Sequence, residues 1–222
     1  MIKLVLSDID GTITDGRRVL SSSASEQIRN VQEKGVIVSL VSGNVIPVMY
    51  TFRTYLGLKA PLFAENGGAM IDEKITQFFS MDKPAAFFRY LEKNGLARGI
   101  MTNQWRLCSM GFDLLGPFEH EISELSARYN VEITDSGFSW HILNVGQNKG
   151  VALHYLMEKY NLRPEEVLVI GDNMNDIPMF VDGVRKAVPA NAEEELKKRA
   201  DYVAKSGHGD GSAEILSSLD SF

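Results

Sequence analysis

The chain has 222 residues, 44% of them hydrophobic and 23% charged, a composition typical of a soluble protein with one large domain or a core plus a smaller insert. Its net charge is −6 and its Lys and Arg residues are scattered, which argues against nucleic acid or an anionic membrane surface as a partner. Cys108 is the single cysteine of the sequence, so an intramolecular disulfide is excluded, and we expect this thiol to be buried in a strand.

We expect a cytoplasmic protein. The apolar stretch at residues 2–6 is too short for a signal peptide and contains Lys3. No segment approaches the ~20 apolar residues needed to cross a bilayer, so we expect no membrane partner. The sequence leaves open whether the protein is a monomer or a homodimer.

The first 65 residues alternate apolar runs with helical segments, in the order strand 2–6, helix 23–34, strand 36–41, helix 45–56 and strand 62–65. Ser23 and Glu26 form a capping-box pattern at the start of the first helix, and Gly35 is a stop signal at its end. The nearly continuous apolar run at 36–41 is typical of a strand buried on both faces, as in a parallel sheet.

The end of the chain repeats this alternation, with a helix at 148–160 and strands at 167–172, 186–188 and 202–204. Strands that alternate with helices predict an α/β fold built on a doubly wound parallel sheet. Right-handed crossovers then place helices on both faces of that sheet.

The middle of the chain breaks the alternation, with elements in the order helix 85–93, strands 98–102 and 106–113, helix 118–129, and strands 131–134 and 138–145. Several of these strands alternate apolar and polar residues, which suits a sheet with one exposed face. We therefore predict a smaller inserted α+β domain of order αββαββ at residues 83–147. The core domain then comprises residues 1–82 and 148–222.

Acidic residues follow two of the predicted core strands: Asp8 and Asp10 the first, Asp172 and Asp176 the late one. Ligands of open parallel sheets bind at the carboxyl ends of the strands, so we expect these side chains to share a pocket. Carboxylates that close together repel one another unless a cation neutralises them, and Mg²⁺ prefers such hard oxygen ligands. The alternative is that each Asp caps a helix or turn.

An anion site is predicted beside these acids. Ser42, Gly43 and Asn44 follow a strand and offer a hydroxyl and backbone N–H groups at the start of a helix, although a plain N-cap is the alternative. Lys149 lies at the start of another predicted helix, where the helix dipole disfavours a cation unless an anion faces it. The alternative for Lys149 is a solvated surface residue.

These residues, in this order, resemble the four motifs of the haloacid dehalogenase-like phosphatases: Asp-Ile-Asp-Gly-Thr at 8–12, Ser42, Lys149, and Gly-Asp-Asn-Met-Asn-Asp at 171–176. The insert between the second and third motifs resembles the type II cap of that superfamily in its smaller, C2B-like form. Chain length and motifs look most similar to archaeal phosphoglycolate phosphatases. Sugar-phosphate phosphatases and phosphomannomutases share this branch.

The resemblance implies a reaction on a small phosphorylated metabolite, most similar to the conversion of 2-phosphoglycolate to glycolate and phosphate. In it, Asp8 is the nucleophile that becomes an aspartyl phosphate, and Asp10 is the general acid and base. Magnesium is held by the Asp8 and Asp172 carboxylates and the Asp10 backbone carbonyl, with Asp176 as a direct or water-mediated ligand. The transferring phosphoryl oxygens are stabilised by the residues Ser42, Gly43, Asn44 and Lys149, and Asn175 orients the lysine or the phosphate.

Substrate choice falls to the insert. If the turn at residues 102–106 faces the core, Arg106 could bind a substrate carboxylate bidentately, as glycolate would require. The alternative is an exposed hairpin turn with Arg106 on the surface. His141 is expected to be an ordinary strand residue, and Trp105 and Trp140 to be packing residues.

Two other functions are compatible with parts of this pattern. A response-regulator receiver also has a doubly wound sheet, an acidic pocket, magnesium and a lysine. Receivers carry the acceptor on a middle strand and have roughly 120 residues without an insert, so the paired acids on the first strand favour the enzyme. A phosphomutase is the rival among enzymes.

Overall fold

The computed structural model describes residues 1–221 and shows an α/β core with an inserted α+β unit. Within these residues the strands are β1 (Leu4–Ser7), β2 (Ile37–Leu40), β3 (Leu62–Ala64), β4 (Ala69–Ile71), β5 (Ile75–Gln77), β6 (Ala97–Gly99), β7 (Met110–Leu114), β8 (Val131–Asp135), β9 (Trp140–Asn144), β10 (Val167–Ile170), β11 (Arg185–Val188) and β12 (Tyr202–Val203). The α-helices are α1 (Ser22–Glu33), α2 (Ile46–Leu56), α3 (Asp82–Lys93), α4 (Glu119–Tyr129), α5 (Gly150–Lys159), α6 (Glu194–Lys197) and α7 (His208–Ser217).

The core sheet is parallel and runs in the order β12-β11-β10-β1-β2, and a parallel bridge from Val41 to Phe63 adds β3 beside β2. The first strand lies in the middle: the chain winds outward from β1 through β2 to β3, then returns to build β10, β11 and β12 on the other side. Ser7 pairs with Ile170 in register, so the loops that leave β1 and β10 start side by side. This is the switch point at which doubly wound sheets bind ligands.

Apolar residues from both faces of the sheet form the core. On one face, Val5 and Leu168 pack with residues of α1, α2 and α7, such as Ile28. On the other face, Leu6 and Val169 pack against α5. Strands buried on both faces are the reason that β1 and β10 read as continuous apolar runs in the sequence. The predicted α/β fold with a doubly wound parallel sheet is confirmed.

The unit from α3 to β9, which we call the cap, has its own antiparallel sheet in the order β6-β7-β9-β8. Phe87, Phe112, Ile122 and Ile142 fill a separate apolar cluster between this sheet and its two helices. The element order is the predicted αββαββ. The division at residues 83 and 147 stays a prediction, and the last residue assigned to the core, Phe222, lies outside the described residues.

Three local predictions were wrong. Ser21, not Ser23, is the N-cap of α1, because its side chain accepts a hydrogen bond from the Ala24 backbone N–H. The second cap strand begins at Met110 rather than at residue 106, so Cys108 is buried but lies outside a strand. The expected hairpin turn before it is a 3₁₀ helix, Met101–Trp105.

No helix among residues 1–221 is long and apolar enough to cross a membrane.

Candidate active site

The in-register pairing of β1 with β10 brings the predicted carboxylates together. Asp8 follows β1 directly, while Asp172 and Asp176 lie in the loop after β10. One carboxylate oxygen from each of these three lies within 4.8 Å of the others, and Asp8 and Asp176 are buried. These three carboxylates therefore lie together, while the side chain of Asp10 turns toward Ser42 and Asn44 in the cavity that Asp8 also lines.

Lys149 lies between two of these acids. Its Nζ is 2.6 Å from Asp8 Oδ1 and 2.6 Å from Asp176 Oδ1, and only 2% of its side chain is exposed. The surface-lysine alternative is therefore wrong. Lys149 Nζ also donates to Asn175 Oδ1 at 3.2 Å. Burial alone would lower the pKa of Lys149, but the carboxylates of Asp176 and Asp8 outweigh it and raise that pKa, so the ammonium stays charged.

Two neighbours of Asp172 fix its carboxylate. The Thr12 hydroxyl lies 2.7 Å from Asp172 Oδ1 and 3.2 Å from Asp8 Oδ2. It has one proton, so it donates to one of these two carboxylates at a time. Gly11 has a φ of +86° and lies so close to the Asp172 carboxylate that a Cβ would overlap it. Sequence reasoning did not assign Thr12 a role, although its place inside the 8–12 motif was a signal for one.

Burial and mutual repulsion make it unfavourable for the clustered carboxylates of this site to be ionised together. Burial raises the pKa of Asp8 well above its ordinary value; Lys149 opposes this rise, and Asp176 and Asp172 add to it. Burial and the charge of Asp176 raise the pKa of Asp172 to about 6, against the opposing hydrogen bond from Thr12. A divalent cation would relieve both effects, because it favours the ionised carboxylates.

The donor set fits a hard cation. Asp8, Asp172 and Asp176 offer carboxylate oxygens, the ligand type that Mg²⁺ prefers, and this cluster contains no His or Cys ligand of the kind that transition metals select. A divalent cation is therefore the group that these residues suit.

Asp10 lies in a second polar cluster, at the carboxyl end of β2. Asn44 Nδ2 donates to Asp10 Oδ2 at 2.6 Å, and the Ser42 hydroxyl is 3.4 Å from the same oxygen. Ser42 Oγ accepts from the Asn44 backbone N–H at 3.1 Å. Neither Ser42 nor Asn44 caps the following helix, because the N-cap of α2 is Val45. The plain N-cap alternative is therefore wrong for both residues.

Arg18 completes this second cluster and was missed by sequence reasoning. Its Nε lies 2.7 Å from Asp10 Oδ1, and its second guanidinium nitrogen donates to Asn44 Oδ1 at 3.1 Å. Its guanidinium also lies 5.2 Å from the ring centroid of Phe138 in the cap. Arg18 stands in a polar turn with no periodic pattern around it, so no sequence signal distinguished it from a surface arginine.

Arg106 reaches the core from the cap and is 8% exposed, so the exposed-turn alternative is wrong. Its guanidinium donates to the Gly43 carbonyl at 3.2 Å and to Ser109 Oγ at 2.9 Å. Among the described residues no acceptor lies in reach of its Nε. Burial lowers the pKa of Arg106, and the negative charge of Glu65 opposes that shift.

Glu65 holds the segment that carries Arg106. This fully buried residue follows β3 directly, and its carboxylate accepts from the Leu107 N–H at 2.7 Å, the Cys108 N–H at 3.1 Å and the Ser109 hydroxyl at 2.6 Å. Its backbone is left-handed, with a φ of +52°. An acid directly after an apolar strand was a signal for Glu65, the same signal that identified Asp8 and Asp172.

A cavity of about 300 Å³ lies between the core and the cap. Asp8, Asp10 and Lys149 line its core side, and Arg106 and His141 line its cap side. His141 is a strand residue, as expected, but it is buried with an unpartnered Nδ1, and burial together with the charge of Arg106 lowers its pKa well below the ordinary value. The imidazole is therefore neutral, and its Nε2 lies 3.2 Å from the Ser139 hydroxyl.

Most of the chain matches one family of known proteins. A family described as haloacid dehalogenase-like hydrolase matches residues 5–107 and 115–216. A curated phosphoglycolate phosphatase from Thermoplasma volcanium is 45% identical over 219 residues, which cover 98% of this chain and 98% of that protein.

Solved structures show the same fold. A crystal structure of a Thermoplasma acidophilum protein, 41% identical, superposes with a TM-score of 0.96 over 100% of both chains. A sugar phosphatase of HAD subclass IIB is only 16% identical but reaches a TM-score of 0.79 over 99% of this chain and 100% of its own. The second likeness extends the shared fold, cap included, to distant relatives.

Proposed function

We propose that this chain, which belongs to the haloacid dehalogenase-like hydrolases, hydrolyses 2-phosphoglycolate to glycolate and phosphate through a covalent intermediate on Asp8. The observation that carries the proposal is a cavity with the Asp8–Lys149 pair on its core side and the guanidinium of Arg106 on its cap side. Such a cavity suits a small molecule with a phosphate at one end and a carboxylate at the other. The family and the enzyme class predicted from the sequence, a phosphatase, are confirmed.

The reaction proceeds in two displacements at phosphorus. In the first, a carboxylate oxygen of Asp8 bonds to phosphorus, the bond to the ester oxygen breaks, and Asp10 gives its proton to the departing alkoxide. In the second, Asp10 takes a proton from a water whose oxygen attacks the same phosphorus, which releases phosphate and restores the Asp8 carboxylate. Splitting hydrolysis this way replaces one difficult step by two easier ones.

Magnesium would be held by the Asp8 and Asp172 carboxylates and the Asp10 backbone carbonyl, with Asp176 as a direct or water-mediated ligand. When bound, it supplies positive charge that removes the repulsion between the Asp8 carboxylate and the phosphate oxygens. The turning of the Asp10 side chain toward Ser42 and Asn44 supports a role for its carbonyl rather than its carboxylate.

The other core residues that line the site bind the phosphoryl group. Ser42, the backbone N–H groups of Gly43 and Asn44, and Lys149 stabilise the charge that develops on its oxygens. Asn175 orients Lys149 through their 3.2 Å hydrogen bond. The cap then selects the substrate, with the guanidinium of Arg106, which lines the cavity, binding the glycolate carboxylate.

A screen of small phosphate esters tests this assignment. We expect phosphate release with 2-phosphoglycolate to show a higher kcat/KM than with hexose phosphates, and to stop when EDTA removes Mg²⁺. A preference for hexose phosphates would favour a sugar-phosphate phosphatase. An isomerised product that depends on a bisphosphate activator would favour a phosphomutase, and a stably trapped phosphoryl group would favour a receiver-like module.

A cytoplasmic location and a monomeric or homodimeric state remain predictions. So does the expectation that neither nucleic acid nor a membrane is a partner.

A further inference from the structure

We propose that Arg18 is a positioning residue for Asp10 and that it couples the orientation of this carboxylate to the position of the cap through Phe138. The inference rests on the proposed function, since it assigns a role to Arg18 only through the proton transfers of Asp10. It concerns a residue outside the predicted motifs.

The contacts of Arg18 link three parts of the molecule. Its Nε holds Asp10 Oδ1 at 2.7 Å, while its second guanidinium nitrogen holds the Oδ1 of Asn44 at 3.1 Å. The amide of Asn44 in turn donates to the other Asp10 oxygen at 2.6 Å. Asp10 is therefore gripped at both oxygens, and rotation about its side-chain bonds requires Arg18 to move.

The turn that presents Arg18 is built for this placement. Arg18 has a φ of +65°, a left-handed conformation that is uncommon for a residue with a long side chain. Asp15 holds the turn, because its side chain accepts from the N–H groups of Arg17 and Val19 at 2.8 and 2.9 Å. A backbone held in a costly conformation next to reacting groups points to a functional constraint.

The cap contributes the third contact. Phe138 lies between β8 and β9 and presents its ring to the Arg18 guanidinium at 5.2 Å, a cation–π distance. A cap that moves away removes this ring from Arg18. The Arg18 side chain is 46% exposed, so solvent screens its attraction to Asp10, and contact with the ring restricts the positions that the guanidinium can take.

The experiment uses two substrates and the full chain loaded with Mg²⁺. With p-nitrophenyl phosphate the leaving group needs no proton, so kcat/KM reports the attack by Asp8 alone, whereas kcat includes the water step that needs Asp10. With ethyl phosphate, which lacks both a good leaving group and a carboxylate, kcat/KM depends on proton donation by Asp10.

For Arg18→Ala we expect kcat/KM on ethyl phosphate to fall ~10-fold or more, a part of the ~10²-fold or larger effect of the general acid itself. On p-nitrophenyl phosphate we expect kcat/KM to stay within about twofold of wild type, as for an untouched first step. Arg17→Ala is the matched control: this neighbour lies in the same turn, its side chain is 86% exposed, and it should leave all constants unchanged.

Phe138→Ala should reproduce the loss in part, and Phe138→Tyr should restore it. The double variant Arg18→Ala with Phe138→Ala should be no slower than Arg18→Ala alone, because both changes break one linkage. Additive losses would overturn the coupling to the cap.

Two results would overturn the role of Arg18. Equal losses on both substrates would mean a general structural defect. With 2-phosphoglycolate measured as a third substrate, a raised KM confined to it would make Arg18 a substrate ligand. Asp10→Asn separates these failures from that of the proposed function. If Asp10→Asn shows the loss selective for ethyl phosphate and Arg18→Ala does not, only the role of Arg18 is wrong; if neither variant shows it, the role of Asp10 is wrong as well.

Discussion

The charge and the hydrogen bonds of single residues in this site are set by their buried neighbours. Lys149 is charged because two buried carboxylates face it. Arg106 is held by hydrogen bonds to the Gly43 carbonyl and the Ser109 hydroxyl. Its Nε has no acceptor among the described residues. A buried donor without a partner is costly, so a ligand that supplies an acceptor gains affinity. Selectivity is therefore expected at the guanidinium of Arg106, which lines the cavity.

At this scale we predict that Arg106→Ala raises the KM for 2-phosphoglycolate by ~10-fold or more while leaving the kinetics of ethyl phosphate within a few-fold, since only the first substrate has a carboxylate to lose. Steady-state phosphate release measures both constants. Arg98→Ala is the control, because Arg98 lies in the cap with a side chain 71% exposed and pairs only with Asp113. An unchanged KM for phosphoglycolate would rule out Arg106 as the carboxylate ligand.

Sequence reasoning worked for residues that follow buried strands and failed for residues placed by tertiary contacts. Asp8 and Asp172 could be predicted because parallel strands bring their carboxyl ends to one edge. Arg18 could not, because its place depends on a left-handed turn and on Phe138 of the cap. The buried state of Arg106 depends on Glu65, which lies 41 positions away in the sequence.

At the scale of elements, hydrogen bonds between the end of β3 and the cap fix the segment that precedes β7. Glu65 satisfies two backbone N–H groups and a hydroxyl in the segment that leads into β7. Turn preferences and alternation predicted that this segment would be part of a strand; instead, a carboxylate from the core takes the hydrogen bonds that a neighbouring strand would have supplied. Local pattern could not reveal this, because the partner is distant in sequence.

We predict that Glu65→Ala lowers the free energy of unfolding by about 2–5 kcal/mol, because it leaves several buried donors without an acceptor. Denaturant unfolding of the metal-free chain measures this change. Glu73→Ala, at an exposed position of the turn before β5, should cost less than about 0.5 kcal/mol. Equal stability of the two variants would show that Glu65 does not secure the cap-bearing segment.

At the scale of the whole molecule, the acid cluster lowers the stability of the metal-free chain. The pKa of Asp172 is raised from 3.8 to about 6, so the folded chain binds a proton on this group that the unfolded chain has lost. Because stability falls with rising pH wherever the folded state binds more protons, Asp172 destabilises the metal-free chain as pH rises from about 4 to 6, and the penalty persists above that range. A bound cation would offset it.

We therefore predict that Asp172→Asn raises the Tm of the EDTA-treated protein at pH 7.5 relative to wild type, and that the difference shrinks at pH 4.5. Adding Mg²⁺ should raise the Tm of the wild type but not that of Asp172→Asn. Thermal unfolding followed by circular dichroism gives all the values, and Asp113→Asn, an exposed acid of the cap, should show neither effect. A lower Tm for Asp172→Asn at pH 7.5 without metal would contradict this account of the cluster.

Asp8 forms the covalent bond to phosphorus in the proposed mechanism, and phosphate release by the Asp8→Asn variant shows whether the reaction depends on it. The substitution keeps the size of the side chain and removes one buried negative charge, so the folded chain should be at least as stable without metal as the wild type. We predict that activity on 2-phosphoglycolate and on p-nitrophenyl phosphate falls by ~10³-fold or more while the Tm is retained. A folded Asp8→Asn variant with near-normal turnover of p-nitrophenyl phosphate would contradict the mechanism.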